Sequence, residues 1–395
     1  MKRKIILKLG LCASIIGIIT GLIIALFLIG LEKATYFNQN YKWLIFILPF
    51  SGAIMTYAYE KYGKNSHKGN NIIIENINGS NEKIHFIMAP LVFIGTILAH
   101  LFGASVGREG TGVQIGGTIG SVISDKIKLH GVQKRILLIS GVSAGFSSVF
   151  GTPLAGTLFA LEVARIGNLT YEAFLPAIIA ALVGDWVVKY IGVTHTHFII
   201  PPSESFILST VIKVIIMAIC FGIVSKLFSL FTHWFKEILS KYLKKSYMKT
   251  IVGGLLMVII TLLIGNRLYN GLSLGLLSDA FNGNVSYYSF FIKLVLTTLC
   301  LGAGYQGGEV TPLFVIGSTL GCILGGFMGL PFAFSASLGL VAVFAGATKT
   351  PIASFMMGLE LFGSNNMIFI MLVCVISVFI SGKKGIYGAQ IWGDL

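Results

Sequence analysis

Charge is scarce in this chain. Charged side chains make up 11% of 395 residues, and only 15 are acidic; a typical soluble domain carries about 25%. That shortage excludes a molecule wetted on every side. Cysteine is scarce too. Cys12, Cys220, Cys300, Cys322 and Cys374 are scattered through apolar segments without paired or ligand spacing, which excludes a disulfide framework and a thiolate metal centre. Histidines number seven; His195 and His197 share a short loop, but no further ligands lie near them in sequence, so no metal site is expected. No Ser/His, Cys/His or metal constellation sits in the apolar segments, and the chain does not read as an enzyme. No cofactor is expected. The net charge of +14 comes from short clusters flanking apolar spans. No basic surface interleaved with aromatics is present, which excludes nucleic acid as a partner.

What is abundant is apolar sequence. Hydrophobic residues make up 55% of the chain and the mean hydropathy is +0.86. Apolar segments recur at roughly 5–31, 43–58, 86–106, 172–192, 206–231, 251–265, 312–345 and 367–381. Some exceed the roughly 20 residues that cross a bilayer, and others are short or interrupted by Gly and Pro. With 48 glycines, the pattern predicts an all-α polytopic membrane protein with tilted, broken and half-spanning helices. Met1-Lys2-Arg3-Lys4 precedes an apolar run to about Ile29. That run is longer than the core of a signal peptide, so it reads as the first membrane helix, its N-terminus cytoplasmic.

Within this apolar background stands Glu109, in the run Gly103-Ala104-Ser105-Val106-Gly107-Arg108-Glu109-Gly110-Thr111. A carboxylate at membrane depth is costly and marks an ion or proton path. Flanking glycines let the backbone break its helix and turn N–H groups toward an anion. An ion pair between Glu109 and Arg108 is the competing reading, but adjacent residues on a helix do not face each other. A protonatable acid beside helix N-termini points to proton-coupled anion transport.

The chain also repeats. Ile115-Gly116-Gly117-Thr118-Ile119-Gly120 returns as Ile316-Gly317-Ser318-Thr319-Leu320-Gly321, 201 residues on. Thr152-Pro153-Leu154-Ala155 with Glu162 returns as Thr350-Pro351-Ile352-Ala353 with Glu360, 198 residues on. The matched positions of Glu162 and Glu360 suggest a structural role at helix ends shared between the halves. Lys2, Arg3, Lys4 and Lys8 open the first helix of the first half, whereas Lys236, Lys241, Lys244, Lys245 and Lys249 close the first helix of the second, which starts at about Ser203. If both clusters lie on one side, the halves 1–202 and 203–395 are inverted. The 201 offset then brings Gly107–Thr111 against Gly307–Pro312.

Gly107-Arg108-Glu109-Gly110, Gly151-Thr152-Pro153-Leu154-Ala155-Gly156 with Glu162, Gly307-Gly308-Glu309-Val310-Thr311-Pro312 and Gly382-Lys383-Lys384-Gly385-Ile386-Tyr387, in this order, resemble the CLC family of anion channels and proton-coupled antiporters over nearly the whole chain. Chloride-handling members usually carry Gly-Ser-Gly-Ile-Pro in the first anion loop; the stretch here is Lys68-Gly69-Asn70-Asn71-Ile72. They carry Gly-Gly-any-Phe-any-Pro in the second half, where this chain has Glu309, Val310 and Thr311, and exchangers add an internal glutamate where this chain has Val163. All three departures resemble the fluoride/proton antiporter branch.

The resemblance implies a CLC-type inverted-topology repeat, a homodimer in the bacterial inner membrane, no soluble C-terminal regulatory domain, and fluoride and protons as the species moved. Glu109 would be the gate that competes with fluoride. Glu309 would pair with fluoride when protonated, or relay the proton in place of the missing internal glutamate. Fluoride holds its water tightly, so its site needs strong donors: the Asn70 amide, the Thr311 and Tyr387 hydroxyls, and backbone N–H groups around Gly107, Gly110 and Val310. A chloride/proton exchanger or chloride channel of the same fold is the alternative.

Overall fold

The computed structural model describes residues 2–195, 200 and 206–393. His197 and Ser203 fall outside them. Among the described residues, sixteen α-helices account for almost all of the regular structure. In chain order the first eight are α1 Lys2–Asn40, α2 Leu48–Tyr62, α3 Asn70–Ile77, α4 Met88–Leu101, α5 Glu109–Lys126, α6 Gly131–Phe150, α7 Pro153–Glu162 and α8 Phe174–Tyr190. The second eight are α9 Leu208–Tyr242, α10 Ser246–Ile264, α11 Leu274–Phe281, α12 Ser289–Ala303, α13 Val310–Met328, α14 Phe332–Thr348, α15 Pro351–Phe362 and α16 Met367–Ile380. Two-residue strands β1 (Arg165–Ile166) and β2 (Ile391–Trp392) pair in parallel.

Among the described residues, six helical segments are long and apolar enough to cross a membrane, including Lys4–Asn40, Leu208–Tyr242 and Val310–Met328. Others are too short. At about 1.5 Å per residue, α3 with 8 residues and α7 with 10 reach only part of the way through a bilayer of about 30 Å. The apolar run 312–345 is not one helix but α13 and α14, broken at Gly329, whose φ is +65°. The first helix continues beyond Ile29 to Asn40.

The repeated glycines explain how the repeated helices pack. A Cβ on Gly116 would collide with the Gly141 carbonyl, and one on Gly112 would lie 2.7 Å from the Gly145 carbonyl. In the second half Gly317 abuts Gly339 and Gly321 abuts Ser335 in the same way. Glycines four apart thus let α5 close on α6 and α13 close on α14, backbone to backbone. Thr-Pro opens α7 and α15 alike, with proline in the first turn, where no helical N–H partner is lost.

Reciprocal caps tie the halves together. The Glu162 carboxylate accepts from the Ile352 and Ala353 N–H groups at 3.1 and 2.9 Å. Glu360 accepts from Leu154 and Ala155 at 2.9 and 2.7 Å. Each acid ends one short helix and caps the start of its counterpart, satisfying N–H groups that the helix itself cannot.

Candidate functional site

The halves meet where α5 and α13 begin. Gly107 and Gly308 form an antiparallel bridge, N–H to carbonyl in both directions at 2.5 and 2.7 Å. Both helices therefore start side by side at one buried point, their free N–H groups directed into it.

Glu109 is fully buried there. Its carboxylate crosses the seam: Oε2 accepts from the Thr311 N–H at 3.0 Å and the Arg108 N–H at 3.1 Å, and Oε1 accepts from the Thr311 hydroxyl. Arg108 Nε also lies 3.6 Å from Oε1. This overturns the argument that neighbouring residues cannot face each other. Arg108 precedes the helix as its N-cap, with φ −124°, so helical geometry does not govern the pair. Arg108 Nε makes no hydrogen bond, so the contact assists the carboxylate without locking it.

A second carboxylate lies beside the first. Glu309 is the N-cap of α13, not a residue of its first turn, and makes no capping bond to its own helix. Its Oε1 accepts instead from the Tyr387 hydroxyl and from Asn70 Nδ2 at 3.5 Å. Asn70 opens α3 after Gly69, whose φ of +56° turns the chain into the helix. Its Oδ1 is buried and without a hydrogen-bond partner. A Cβ on Gly110 would stand 3.0 Å from Asn70 Nδ2 and 3.3 Å from Glu309 Oε2, and one on Gly107 would stand 2.8 Å from Glu109 Oε2. The two glycines keep open the space through which the acids approach.

Tyr387 reaches this cluster because the final segment is strapped under it. Ile386 N–H donates to Ala347 at 3.0 Å, Gln390 Nε2 to Val163 and Thr348 at 2.9 and 2.7 Å, and Ala389 N–H to Asn71 Oδ1 at 3.0 Å. Val163 is buried and lines a small cavity with Asn70 and Tyr387.

The structure thus gathers Glu109, Thr311, Gly110, Val310, Glu309, Asn70 and Tyr387 around one seam. Gly107 is the exception as a donor: its N–H is committed to the Gly308 carbonyl and is not free for an anion. Sequence reasoning missed the Arg108 N–H, the strap residues Gln390 and Asn71, and Lys293. The last is a fully buried lysine inside the apolar stretch Phe290-Phe291-Ile292-Lys293-Leu294; its position at membrane depth is a signal that could have found it.

Residues 51–382 match the family described as Voltage gated chloride channel. The chain is 40% identical over 384 residues to a "Chloride/fluoride channel protein" of Pseudomonas syringae pv. tomato, covering 96% of this chain and 85% of that one. It is 27% identical to an "H(+)/Cl(-) exchange transporter ClcA" of Yersinia pestis bv. Antiqua, covering 95% and 86%. Among solved structures, a CLC-type fluoride/proton antiporter superposes with a TM-score of 0.95 at 35% identity over 98% of both chains. A slow cyanobacterial Cl-/H+ antiporter shares the fold, with a TM-score of 0.82 at 19% identity over 96% of both chains.

Proposed function

Since the chain belongs to the voltage-gated chloride channel (CLC) family, we propose that it is a fluoride/proton antiporter that drives fluoride out with inward proton movement. One observation carries the reading: the Glu109 carboxylate lies across the seam on the Thr311 N–H and hydroxyl. An anion of the protein's own occupies the donors that a small halide needs. Ionised Glu109 closes the path; protonated, it loses its charge-assisted bonds and leaves. Fluoride then takes the Thr311 donors, and the two occupants cannot share them. That exclusion is the coupling.

Beyond that point fluoride meets Glu309, Asn70 and Tyr387. An ionised Glu309 repels fluoride; once protonated it offers an O–H, while the Asn70 amide and the Tyr387 hydroxyl supply further donors. Selectivity rests on this donor density, which suits a small, strongly hydrated ion better than chloride. The similarity to the fluoride/proton antiporter exceeds that to the cyanobacterial chloride antiporter, and Glu309 with Asn70 supports the fluoride assignment. The relatives named above are channels and antiporters, and this chain is read as multi-pass and not as an enzyme. A homodimer in the inner membrane with a cytoplasmic N-terminus completes the proposal. Native mass spectrometry of the solubilised protein checks the dimer.

The decisive experiment uses liposomes loaded with fluoride. Wild type moves protons uphill as fluoride leaves, and Glu109→Gln does not. Fluoride efflux without linked proton movement in the wild type makes it a channel; chloride efflux equal to fluoride efflux makes it a chloride transporter.

A further inference from the structure

A cavity of about 780 Å³ opens at the end of the molecule where α1 stops and where α10 connects to α11. That volume is within the range of small-molecule sites. Its walls include Trp43, Phe46, Leu262 and Leu268, all largely exposed. Its polar part is one-sided: Lys42 and Arg267 line it, and among the described residues no Asp or Glu does.

The donors there outnumber their acceptors. Arg267 Nη1 and Nη2 bond the Asn38 carbonyl and Oδ1 at 2.7 and 2.8 Å, which leaves Nε buried and without a hydrogen-bond partner. Asn270 Oδ1 accepts from the Thr261 hydroxyl at 3.3 Å, but Asn270 Nδ2 is buried without a partner. The Asn38, Asn270 and Arg267 nitrogens converge on Gly103, at 3.2, 3.3 and 3.5 Å from where a Cβ would stand. Buried donors without acceptors are uncommon in native proteins and call for an explanation.

We propose that this cavity binds an anionic amphiphile, with a phosphate-type head on Arg267 and Asn270 and an acyl chain along Trp43, Phe46, Leu262 and Leu268. A free anion would leave the apolar walls uncovered, and a zwitterionic lipid would bring its own cation to a site already lined by Lys42 and Arg267. The floor beneath the head is stitched to the loop that leads into Glu109. Gly271 N–H donates to the Ala104 carbonyl at 3.0 Å, and the Ser105 hydroxyl donates to the Tyr269 carbonyl at 3.0 Å. Lys293 Nζ bonds Ser105, Tyr269, Gly271 and Ser273 within 3.1 Å. A ligand seated on Arg267 and Asn270 therefore bears on a segment four residues from the gate.

The test reads Trp43 fluorescence in protein reconstituted into phosphatidylcholine nanodiscs doped with acyl-brominated phosphatidylglycerol or acyl-brominated phosphatidylcholine. Trp43→Phe identifies the Trp43 signal. Phosphatidylglycerol is expected to quench it several-fold more strongly than phosphatidylcholine. Asn270→Asp keeps the acceptor for Thr261 but replaces the free donor with a negative charge, and it is expected to erase the preference. Asn270→Leu serves if that variant does not fold. Equal quenching by both lipids, or a preference that survives loss of the Asn270 donor, overturns the proposal. Thermal stabilisation of lipid-free wild type by glycerol phosphate, with no preference among the brominated lipids, assigns the donors to a soluble anion and overturns it as well.

Discussion

Thr311 gives both its N–H and its hydroxyl to the Glu109 carboxylate, and in the proposed cycle fluoride takes the same donors. Thr311→Val keeps the shape and the N–H but removes the hydroxyl. A hydrogen bond to a charged group is worth about 1.5–3 kcal/mol, so fluoride affinity is expected to fall by about 10- to 100-fold, measured as the concentration dependence of fluoride efflux. An unchanged dependence removes the hydroxyl from the site. The residue types were legible in sequence: an acid at membrane depth and hydroxyl and amide groups in place of the usual chloride motif. Their partners were not. That Glu309 turns from its own helix toward Tyr387 and Asn70 depends on three segments distant in sequence.

At the scale of elements, short helices replace spanning ones and need their ends satisfied. The cross-caps of Glu162 and Glu360 do this symmetrically. Replacing either with Gln weakens two charge-assisted bonds at a cost of about 1–2 kcal/mol. Both variants are expected to lower the thermal unfolding midpoint in detergent by similar amounts; a large loss for one and none for the other contradicts the shared role. The loop around α3 has a separate clamp. Lys68 bonds Glu82 and Glu75 at 2.5 and 3.1 Å. The bonds from Lys68 and then Asn65 hold the Glu82 carboxyl below its ordinary range, and those to Glu82 and then Glu75 raise Lys68 above its own. The Glu82 contribution is therefore present above the ordinary carboxylate range and is lost as pH falls through the lowered value. The Lys68 contribution is present below the ordinary lysine range and is lost as pH rises through the raised value. Hydrogen-exchange protection across residues 64–84, taken relative to the intrinsic rate at each pH, is expected to fall in acid, below about pH 4, and to fall at high salt even near neutrality. Exchange indifferent to both removes the clamp. The abundance of glycine pointed to close helix packing, whereas which glycines make it, and the break at Gly329 inside a continuous apolar run, did not announce themselves, because hydropathy does not register a turn.

For the whole molecule, the inverted arrangement of the halves expected from the charge pattern predicts that the start of α1 and the end of α9 share one face. Lys8 and Lys244 are exposed there, and Lys42 lies past the far end of α1. Lys8→Cys and Lys244→Cys are expected to react with an impermeant maleimide from one side of the membrane, and Lys42→Cys only from the other. Four of the five native cysteines are buried and Cys220 is partly so, which favours a low background. Labelling of Lys8→Cys and Lys244→Cys from opposite sides refutes the inverted arrangement.

The chain by itself determined that the protein is built for the membrane, and it pointed to two related halves and to one acid at their junction that is out of place unless it works there. These follow from local chemistry: apolar runs, spacing of small residues, and the cost of a carboxylate away from water. Only the tertiary structure decided which groups that acid touches, why the Gly107 N–H is committed to the Gly308 carbonyl and not free for an anion, and how residues 386–393 carry Tyr387 to Glu309. Each of those facts is a contact between segments tens to hundreds of residues apart. Such contacts are set by how whole helices dock, and no window of sequence contains both partners.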